Sequence, residues 1–396
     1  MAFQAPVRLL AAAKPSVPAA LLVAIASSTA VFAATPFLLP AVSDEYDVAI
    51  SAAGWMSTTQ LAGFVLASWV GGRFLRPVRS IFVIGTLIGV MANLGSAAAP
   101  TFETLALMRF ASGLSLGFAA WIAWQAAFGD AEKTGDVAVV GPIVGMVMAP
   151  LIAVLLESIG LRWLFVILAA ITATPLIWMR QVPRVDRLRP HRTRHTPTRA
   201  ARAILFALGT ITLGGSSVFV YSAAIGKGLD GLSPLVVSLL FSGNALAAIP
   251  SARWSGRRGP AGVWFLATAV CALTIAASRS GVLFGAAIVG WGFVFFMGVP
   301  AAFHLLAERS SFPEERAGDA QATMALGRVF GPIVGGTLLA AGSEVTLGFV
   351  SAGVISFGAC LLLYVDRQRF VVVRQYGTRS SHKAAETASV DSTQHA

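Results

Sequence analysis

The stretches GMVMAP at residues 145–150 and GRVFGP at residues 327–332 share one pattern: a glycine, a small residue four positions later, and a proline directly after it. When the two prolines are aligned, at an offset of 182 residues, Gly160 also aligns with Gly342. The identical sequence GPIVG occurs twice at a different offset, displaced by about one or two helical turns. We therefore interpret the chain as an internal duplication whose register is set by the prolines.

The composition indicates that most of the surface faces lipid. Hydrophobic residues make up 56% of the 396 residues and charged residues only 12%, and the mean hydropathy is +0.76. A soluble domain carries about 25% charged residues because its surface must face water. Cys271 and Cys360 lie inside apolar runs, which excludes the disulfide framework of a small secreted domain.

Apolar runs of the length that spans a bilayer, about 20 residues, recur along the whole chain. They predict an all-α integral membrane protein with twelve transmembrane helices. The first run is longer than the core of a secretory signal, so we expect it to be retained. The predicted spans are 17–41, 50–72, 81–99, 102–128, 135–157, 162–179, 203–226, 234–251, 261–278, 281–307, 317–341 and 345–365.

The positions of the basic residues predict how the helices are oriented. With the N-terminus inside, 24 of the 29 Lys and Arg residues lie in inner connections, whereas only Arg162, Lys227 and Arg279 lie in outer loops. Because cytoplasmic loops are enriched in Lys and Arg, we expect a multi-pass protein of the plasma (inner) membrane with both termini in the cytoplasm. The net charge of +11 then reflects membrane topology, and nucleic acid is not expected as a partner.

The longest polar connection divides the spans six and six, which predicts two pseudo-symmetric six-helix bundles. This connection is rich in Arg and Pro, as a flexible linker is. The predicted organisation is a cytoplasmic N-terminus at 1–16, a first bundle at 17–179, a basic cytoplasmic linker at 180–202, a second bundle at 203–365 and a disordered cytoplasmic tail at 366–396.

The duplicated pattern predicts two sites of close helix packing. Small residues four positions apart form a smooth strip that lets a neighbouring helix approach, and proline bends the helix at that point. The residues concerned are Gly145, Ala149 and Pro150 in the fifth predicted span, and Gly327, Gly331 and Pro332 in the eleventh.

Three motifs together resemble those of the major facilitator superfamily of secondary transporters. The strip ending at Pro150 is similar to the antiporter motif of that superfamily, with Ala149 where glycine is usual. Arg109 opens the stretch RFASGLSLG, which is similar to the superfamily's fourth-span motif. The loop GGRFLRPVRS is similar to its cytoplasmic loop motif. That loop retains Gly71, Arg76 and Arg79, and Leu75 replaces the usual aspartate.

The resemblance covers essentially all twelve spans and implies a transporter that works by alternating access, in which two bundles rock about a central site. It implies export of a small organic compound in exchange for protons by a monomer in the lipid bilayer. No cofactor and no metal is expected, and an ion gradient, of H⁺, would supply the driving force. Gly71, Arg76 and Arg79 would form a gate loop on the cytoplasmic side.

Two arginines within predicted spans, Arg109 and Arg328, are the first candidates for the substrate or proton pathway. A charge near the bilayer centre costs at least ~2.5–3.5 kcal/mol, so such residues are functional candidates. All eighteen acidic residues lie outside the spans or at their ends. The carboxylate that proton-coupled antiporters hold within the membrane is therefore missing from the pattern, and His304 is the candidate that could titrate in its place.

A cavity that binds substrate also needs polar and aromatic side chains within the spans. From the set Gln60, Asn93, Trp121, Trp124, Gln125, Tyr221, Asn244 and Trp291, we predict that Trp124, Gln125 and Asn244 line the pathway. Each of these types also has an ordinary role at membrane interfaces or between helices. The sequence contains no metal-ligand spacing, nucleophile elbow or phosphate-binding loop, so no enzymatic activity is expected.

Two alternative functions remain open at this point. An organic-anion carrier could use Arg109 and Arg328, because guanidinium groups bind carboxylates and phosphates in bidentate geometry. A sensor or assembly factor with a transporter-like fold could transport nothing, since Leu75 and the missing buried carboxylate depart from the transporter pattern.

Overall fold

A computed structural model describes residues 17–127, 131–182, 195–229, 232–252, 254 and 258–368. The predicted N-terminal segment 1–16, the centre of the predicted linker and the predicted tail beyond residue 368 lie outside these residues. Side chains are described throughout them except at positions 72–73, 131–136, 138–139, 252, 313–315 and 317.

The described chain forms a succession of helices that match the predicted spans. In chain order they are α1 (Ala19–Tyr46), α2 (Ile50–Phe74), α3 (Arg79–Ala97), α4 (Phe102–Ala127), α5 (Ala131–Ala173), a 3₁₀ helix (Thr174–Gln181), α6 (Arg199–Phe219), α7 (Ser222–Lys227), α8 (Pro234–Ala252), α9 (Ala261–Ala277), α10 (Gly281–Glu308), α11 (Pro313–Ala341) and α12 (Glu344–Arg367). Nine helical segments of this part of the chain are long and apolar enough to cross a membrane.

Three of the spans differ in detail from the sequence prediction. The fifth and sixth spans follow each other without a loop, so the range given for α5 covers two helices that meet at a kink at Gly160, with φ +79° and ψ 177°. Only glycine adopts this conformation readily. The seventh span is interrupted after Phe219 and continues as the short helix α7.

Helical structure also extends into both ends of the predicted linker. The 3₁₀ helix continues to Gln181, and α6 begins at Arg199. The hydroxyl of Thr198 accepts a hydrogen bond from the backbone N–H of Ala201 at 3.0 Å, which caps the start of α6.

The helices pack as two halves that meet along two pairs. In the first half, α2 packs on α4, and α1 and α3 pack on α5; in the second, α6 packs on α11 and α12, and α10 packs on α8 and α9. The halves join through α2 with α11 and α5 with α8. In the second of these pairs, the hydroxyl of Ser242 donates to the backbone oxygen of Met146 at 2.7 Å.

The turns between helices form two opposite faces. We call the face that holds the chain at 75–78, 182, 195–198 and 309–312 the linker face. The opposite face, which holds 47–49, 98–101, 160 and 342–343, is called the far face. The charge pattern in the sequence predicts that the linker face is cytoplasmic.

Candidate functional site

We call the interface between the two halves the seam. At the far face it is closed by Tyr221, a completely buried residue between α6 and α7. Its hydroxyl donates to the backbone oxygen of Pro332 at 2.8 Å and lies 3.4 Å from the backbone oxygen of Ser51, in the other half. A Cβ at Gly54 would lie 1.8 Å from this hydroxyl, and one at Gly336 would lie 2.7 Å from it. The tyrosine therefore fits only because both residues that flank its hydroxyl are glycines.

Further contacts across the seam lie between the middle of the bundle and the far face. The rings of Phe37 in α1 and Phe241 in α8 are 5.1 Å apart between centroids. At the far face itself, Lys227 Nζ lies 3.5 Å from Asp44 Oδ2, and both side chains are exposed. An exposed ion pair contributes only about 0–1 kcal/mol, so the buried contacts hold the seam.

An aromatic cluster lies beside this seam. Its neighbouring rings have centroids 5.1–6.5 Å apart. Phe219 and Phe295 are partly exposed, whereas the other members are buried. The cluster consists of Phe37, Phe241, Phe219, Trp291 and Phe295.

Arg328 projects from the side of α11 that faces the interior between the halves. Gly327 packs on α6, since a Cβ there would lie 2.4 Å from the backbone oxygen of Gly209, and Gly336 packs on α2. Successive helical residues are about 100° apart, which places Arg328 between these two contact directions. Phe330, on the opposite side of α11, is 52% exposed and faces lipid.

The guanidinium of Arg328 has no hydrogen-bond or ion-pair partner among the described residues, and the side chain is partly exposed. Gln321 lies two turns away on the same face of α11 and is exposed. We call the space on this side of α11, between Gln321 and Arg328, the central cleft. Gln321, the more exposed of the two, lies nearer to the linker face, where α11 begins.

Arg109 lies in a different environment, inside the first half. Its side chain is fully buried. Nη2 donates to Asn93 Oδ1 at 2.7 Å and to Ser96 Oγ at 2.8 Å, and Nε donates to Ser96 Oγ at 3.1 Å. The guanidinium carbon lies 4.7 Å from the ring centroid of Phe165. Only Nη1 has no hydrogen-bond partner.

The network around Arg109 continues to the sixth span. The amide nitrogen of Asn93 donates to Thr172 Oγ1 at 3.2 Å and to the backbone oxygen of Gly89 at 2.9 Å. These contacts join α3, α4 and the second part of α5. The arginine therefore occupies the interior of one half, away from the central cleft.

The other predicted pathway residues lie in several places. Trp124 and Gln125 are exposed near the linker end of α4. Asn244 ties α8 to α10, because its amide nitrogen donates to the backbone oxygen of Ile288 at 2.6 Å. His304 Nδ1 lies 3.6 Å from Glu308 Oε1, and both side chains are exposed near the linker face.

The two glycine strips differ in how closely a neighbouring helix approaches them. A Cβ at Gly331 would lie 1.8 Å from Ser216 Oγ, so α6 and α11 are in very close contact. A Cβ at Gly145 would lie 3.7 Å from Cβ of Ala245, an ordinary van der Waals contact with α8. Ala149 is buried, Pro150 is half-buried, and the buried Pro332 supplies the acceptor for Tyr221.

The predicted gate loop is attached to the end of the first half. Arg79 Nε donates to the backbone oxygen of Val182 at 3.0 Å, and its Nη2 donates to the backbone oxygen of Arg180. A Cβ at Gly71 would lie 2.7 Å from the ring of Trp121. Arg76 is exposed.

The described acidic side chains all lie in loops or within about two turns of a helix end, except Glu157, which lies one turn before the kink at Gly160. Within the described part of the chain, no group of three or more His, Cys, Asp or Glu residues could hold a metal ion. Arg328 therefore has no neighbouring protein carboxylate within the membrane-spanning part that the structure describes.

A sequence model of the Major Facilitator Superfamily matches residues 20–325. The chain belongs to this superfamily. It is a multi-pass membrane transporter with an all-α fold, as the sequence predicted, and it is not an enzyme. No match is found among curated proteins.

Solved structures of superfamily members share the fold. The nucleoside transporter NupG is 14% identical, with a TM-score of 0.69 over 89% of this chain and 100% of that one. The human organic anion transporter MFSD10 (TETRAN) is 14% identical, with a TM-score of 0.63 over 87% and 97%. A D-xylose–proton symporter is also 14% identical, with a TM-score of 0.67 over 90% and 98%. At these identities the likeness concerns the fold alone.

The sequence analysis did not identify Ser96 and Phe165, which contact Arg109. It also did not identify Phe219 and Phe295 of the aromatic cluster. Asn93 and Ser96 carry a usable signal, because polar residues three positions apart share one face of an apolar helix. Phe219 and Phe295 carry none, since the chain has 25 phenylalanines and eleven of the twelve predicted spans contain at least one.

Proposed function

We propose that the protein transports a small organic anion by alternating access, and that Arg328 binds the negative charge of the substrate. The observation that carries this proposal is an intramembrane guanidinium that has no partner among the described residues and is directed into the central cleft. A charge at this depth costs at least ~2.5–3.5 kcal/mol. A bound carboxylate or phosphate would compensate this charge through a bidentate hydrogen-bonded pair.

Arg109 is left out of the proposed site because protein groups already surround it. Three hydrogen bonds and the ring of Phe165 fix the guanidinium within the first half. Such a network supports the packing of α3, α4 and α5. The anion carrier predicted from the sequence used both arginines, and the geometry favours a version that uses Arg328 alone.

The conformation fits one state of an alternating-access cycle. The far face is closed by Tyr221, whereas Gln321, nearer to the linker face, is exposed and Arg328 is partly exposed. If the linker face is cytoplasmic, as the charge pattern predicts, this state accepts or releases the anion on the cytoplasmic side. Export in exchange for protons through a plasma-membrane monomer stays a prediction.

The experiment is solute counterflow in vesicles that contain the purified full-length protein. Counterflow measures exchange of a labelled solute without an imposed ion gradient, so it is independent of the coupling ion. A panel of monocarboxylates, phosphate monoesters, neutral sugars and organic cations is tested in turn. We expect counterflow of at least one class of anion, which Arg328→Gln abolishes and Arg328→Lys partly retains.

Arg109→Gln serves as the comparison, with the folded fraction checked by size-exclusion chromatography. Folded Arg109→Gln protein should exchange the same anion. Counterflow of a cation or a neutral solute that is unaffected by Arg328→Gln would contradict the proposal. Folded protein that exchanges no solute of the panel would favour the sensor or assembly factor.

A further inference from the structure

We infer that the anion is an aromatic carboxylate, whose ring binds against the partly exposed Phe295, which stacks on Trp291, while its carboxylate binds Arg328. This inference rests on the proposed function and names the substrate class of the same site. It follows from where the aromatic cluster lies relative to Arg328.

The contacts of α10 and α11 with α6 show that these two helices flank a common space, which we call the corner. Trp291 of α10 contacts Gly215, where a Cβ would lie 3.3 Å from the indole ring. Gly331 of α11 contacts the next residue, Ser216. Because consecutive residues of a helix point about 100° apart, α10 and α11 lie on adjacent sides of α6 and enclose the space between them.

The same contacts give the level of Arg328 along the corner. Gly327 packs on Thr212, so Arg328 lies at about the level of the following residue, Leu213. Trp291 is level with Gly215, and at 1.5 Å per residue the two levels are only about 3–5 Å apart. Phe295 follows Trp291 by one turn towards the linker face. Arg328 therefore lies at a height between these two rings.

The rings of the aromatic cluster form an apolar surface against which another aromatic ring can pack. Trp291 and Phe295 are stacked, with centroids 6.5 Å apart and planes at 25°. The ring of Phe219, on the other side of Trp291, is 5.6 Å away and partly exposed. Aromatic pairs prefer stacked or edge-to-face arrangements at these separations, so a third ring can extend the cluster while the attached carboxylate lies against Arg328.

The difference in level limits the length of the ligand. Arg328 and Trp291 lie only about 3–5 Å apart along the membrane normal, an offset that a carboxylate joined to its ring by a short aliphatic chain can bridge. A phenylpropanoate has these two parts. A small acid such as propanoate would contact Arg328 alone.

The test measures binding of three acids to purified full-length protein by isothermal titration calorimetry. The probes are 3-phenylpropanoate, 3-cyclohexylpropanoate and propanoate, which differ in the ring and not in the charge. We expect 3-phenylpropanoate to bind about 2- to 10-fold more tightly than the cyclohexyl acid, as aromatic pairing predicts. Phe295→Leu and Trp291→Leu should remove this preference and leave the dissociation constant of propanoate unchanged.

The matched control is Phe330→Leu, which removes a ring two residues from Arg328 on the lipid side of α11. It should preserve the preference for the aromatic acid. Equal binding of the two ring acids to wild-type protein would overturn the inference while leaving the proposed function standing. An aromatic preference that persists in folded Phe295→Leu would overturn it as well. If none of the acids bound to wild-type protein, the inference would be overturned, and the proposed function would be decided separately by the counterflow panel, which also contains phosphate monoesters.

Discussion

The hydroxyl of Tyr221 lies 2.8 Å from the backbone oxygen of Pro332 and occupies the space that the missing side chain of Gly54 leaves open. Tyr221 and Pro332 belong to one half of the transporter, and Gly54 belongs to the other. The closed far face thus depends on a tyrosine that fits between the halves, and opening of that face must separate Tyr221 from Gly54.

Removal of this hydroxyl should favour opening of the far face. Tyr221→Phe loses the hydrogen bond to Pro332 and the weaker contact with Ser51. A net hydrogen bond is worth about 0.5–1.5 kcal/mol, or about 2- to 12-fold in population. The measurement is the distance between spin labels at Ala49→Cys and Ala341→Cys, two exposed far-face positions, with Cys271 and Cys360 replaced.

Tyr46→Phe is the matched control for this prediction. The Tyr46 hydroxyl donates to the backbone oxygen of Ala99 at 3.0 Å within the first half, so its loss should not change the distance between the halves. Gly54→Ala should lengthen that distance more than Tyr221→Phe does, because its Cβ would overlap the hydroxyl. An unchanged distance distribution in both seam variants would show that Tyr221 does not hold the far face closed.

The two glycine strips should respond differently to the same substitution. Gly327→Ala places a Cβ 2.3 Å from Thr212 Oγ1 and 2.4 Å from the backbone oxygen of Gly209. Overpacking of this kind costs about 1–3 kcal/mol. Gly145→Ala meets only Ala245 at 3.7 Å, and alanine favours a helix by about 0.8–1.0 kcal/mol over glycine.

Thermal unfolding in detergent tests this difference. We expect a lower midpoint for Gly327→Ala and an unchanged or higher midpoint for Gly145→Ala. Gly353→Ala in α12 serves as a reference, since nothing lies within 4 Å of its Cβ position. Equal destabilisation at positions 145 and 327 would mean that the strips pack symmetrically in solution.

Substitution of Arg109 should lower the stability of the protein, whereas substitution of Arg328 should weaken anion binding and leave the stability unchanged. Arg109→Gln disrupts charged hydrogen bonds to Asn93 and Ser96, each of which is worth about 1.5–3 kcal/mol. We expect it to lower the free energy of unfolding by at least about 2 kcal/mol. Arg328→Gln removes a charge that no described residue pairs with, and it should not lower the stability.

A double-mutant cycle with Asn93→Ala tests the origin of the effect. Residues of one hydrogen-bond network show coupling energies of about 0.5–3 kcal/mol, so the two substitutions should be clearly non-additive. Additive effects would contradict the network. An Arg109→Gln protein of wild-type stability that no longer binds anions would place Arg109 in the substrate pathway instead.

The sequence predicts the helices well and their side-chain partners poorly, for a physical reason. A membrane span must be long, apolar and helical, and each of these properties is visible within a single run of residues. The burial of Arg109 against Asn93 and Ser96 depends on which faces of α3 and α4 meet. The fit of Tyr221 over Gly54 joins residues 167 positions apart in different halves. No local pattern encodes either pairing.

The duplicated glycine pattern is an intermediate case. It locates the two strips in the fifth and eleventh spans, but the sequence does not show that Gly331 is in near-contact with Ser216 whereas Gly145 is not. That difference arises because α11 packs against a helix of its own half, α6, while Gly145 of α5 faces α8 across the seam.

The most direct test of the central claim is whether Arg328 recognises the negative charge of the ligand. Equilibrium dialysis of 3-phenylpropanoate and its neutral amide against purified protein compares two ligands that differ in this charge. A charged hydrogen-bonded contact is worth about 1.5–3 kcal/mol, so wild-type protein should prefer the acid by about 10- to 150-fold. We expect Arg328→Gln to lose this preference and Arg109→Gln to keep it. An undiminished preference for the acid in folded Arg328→Gln protein would contradict the account.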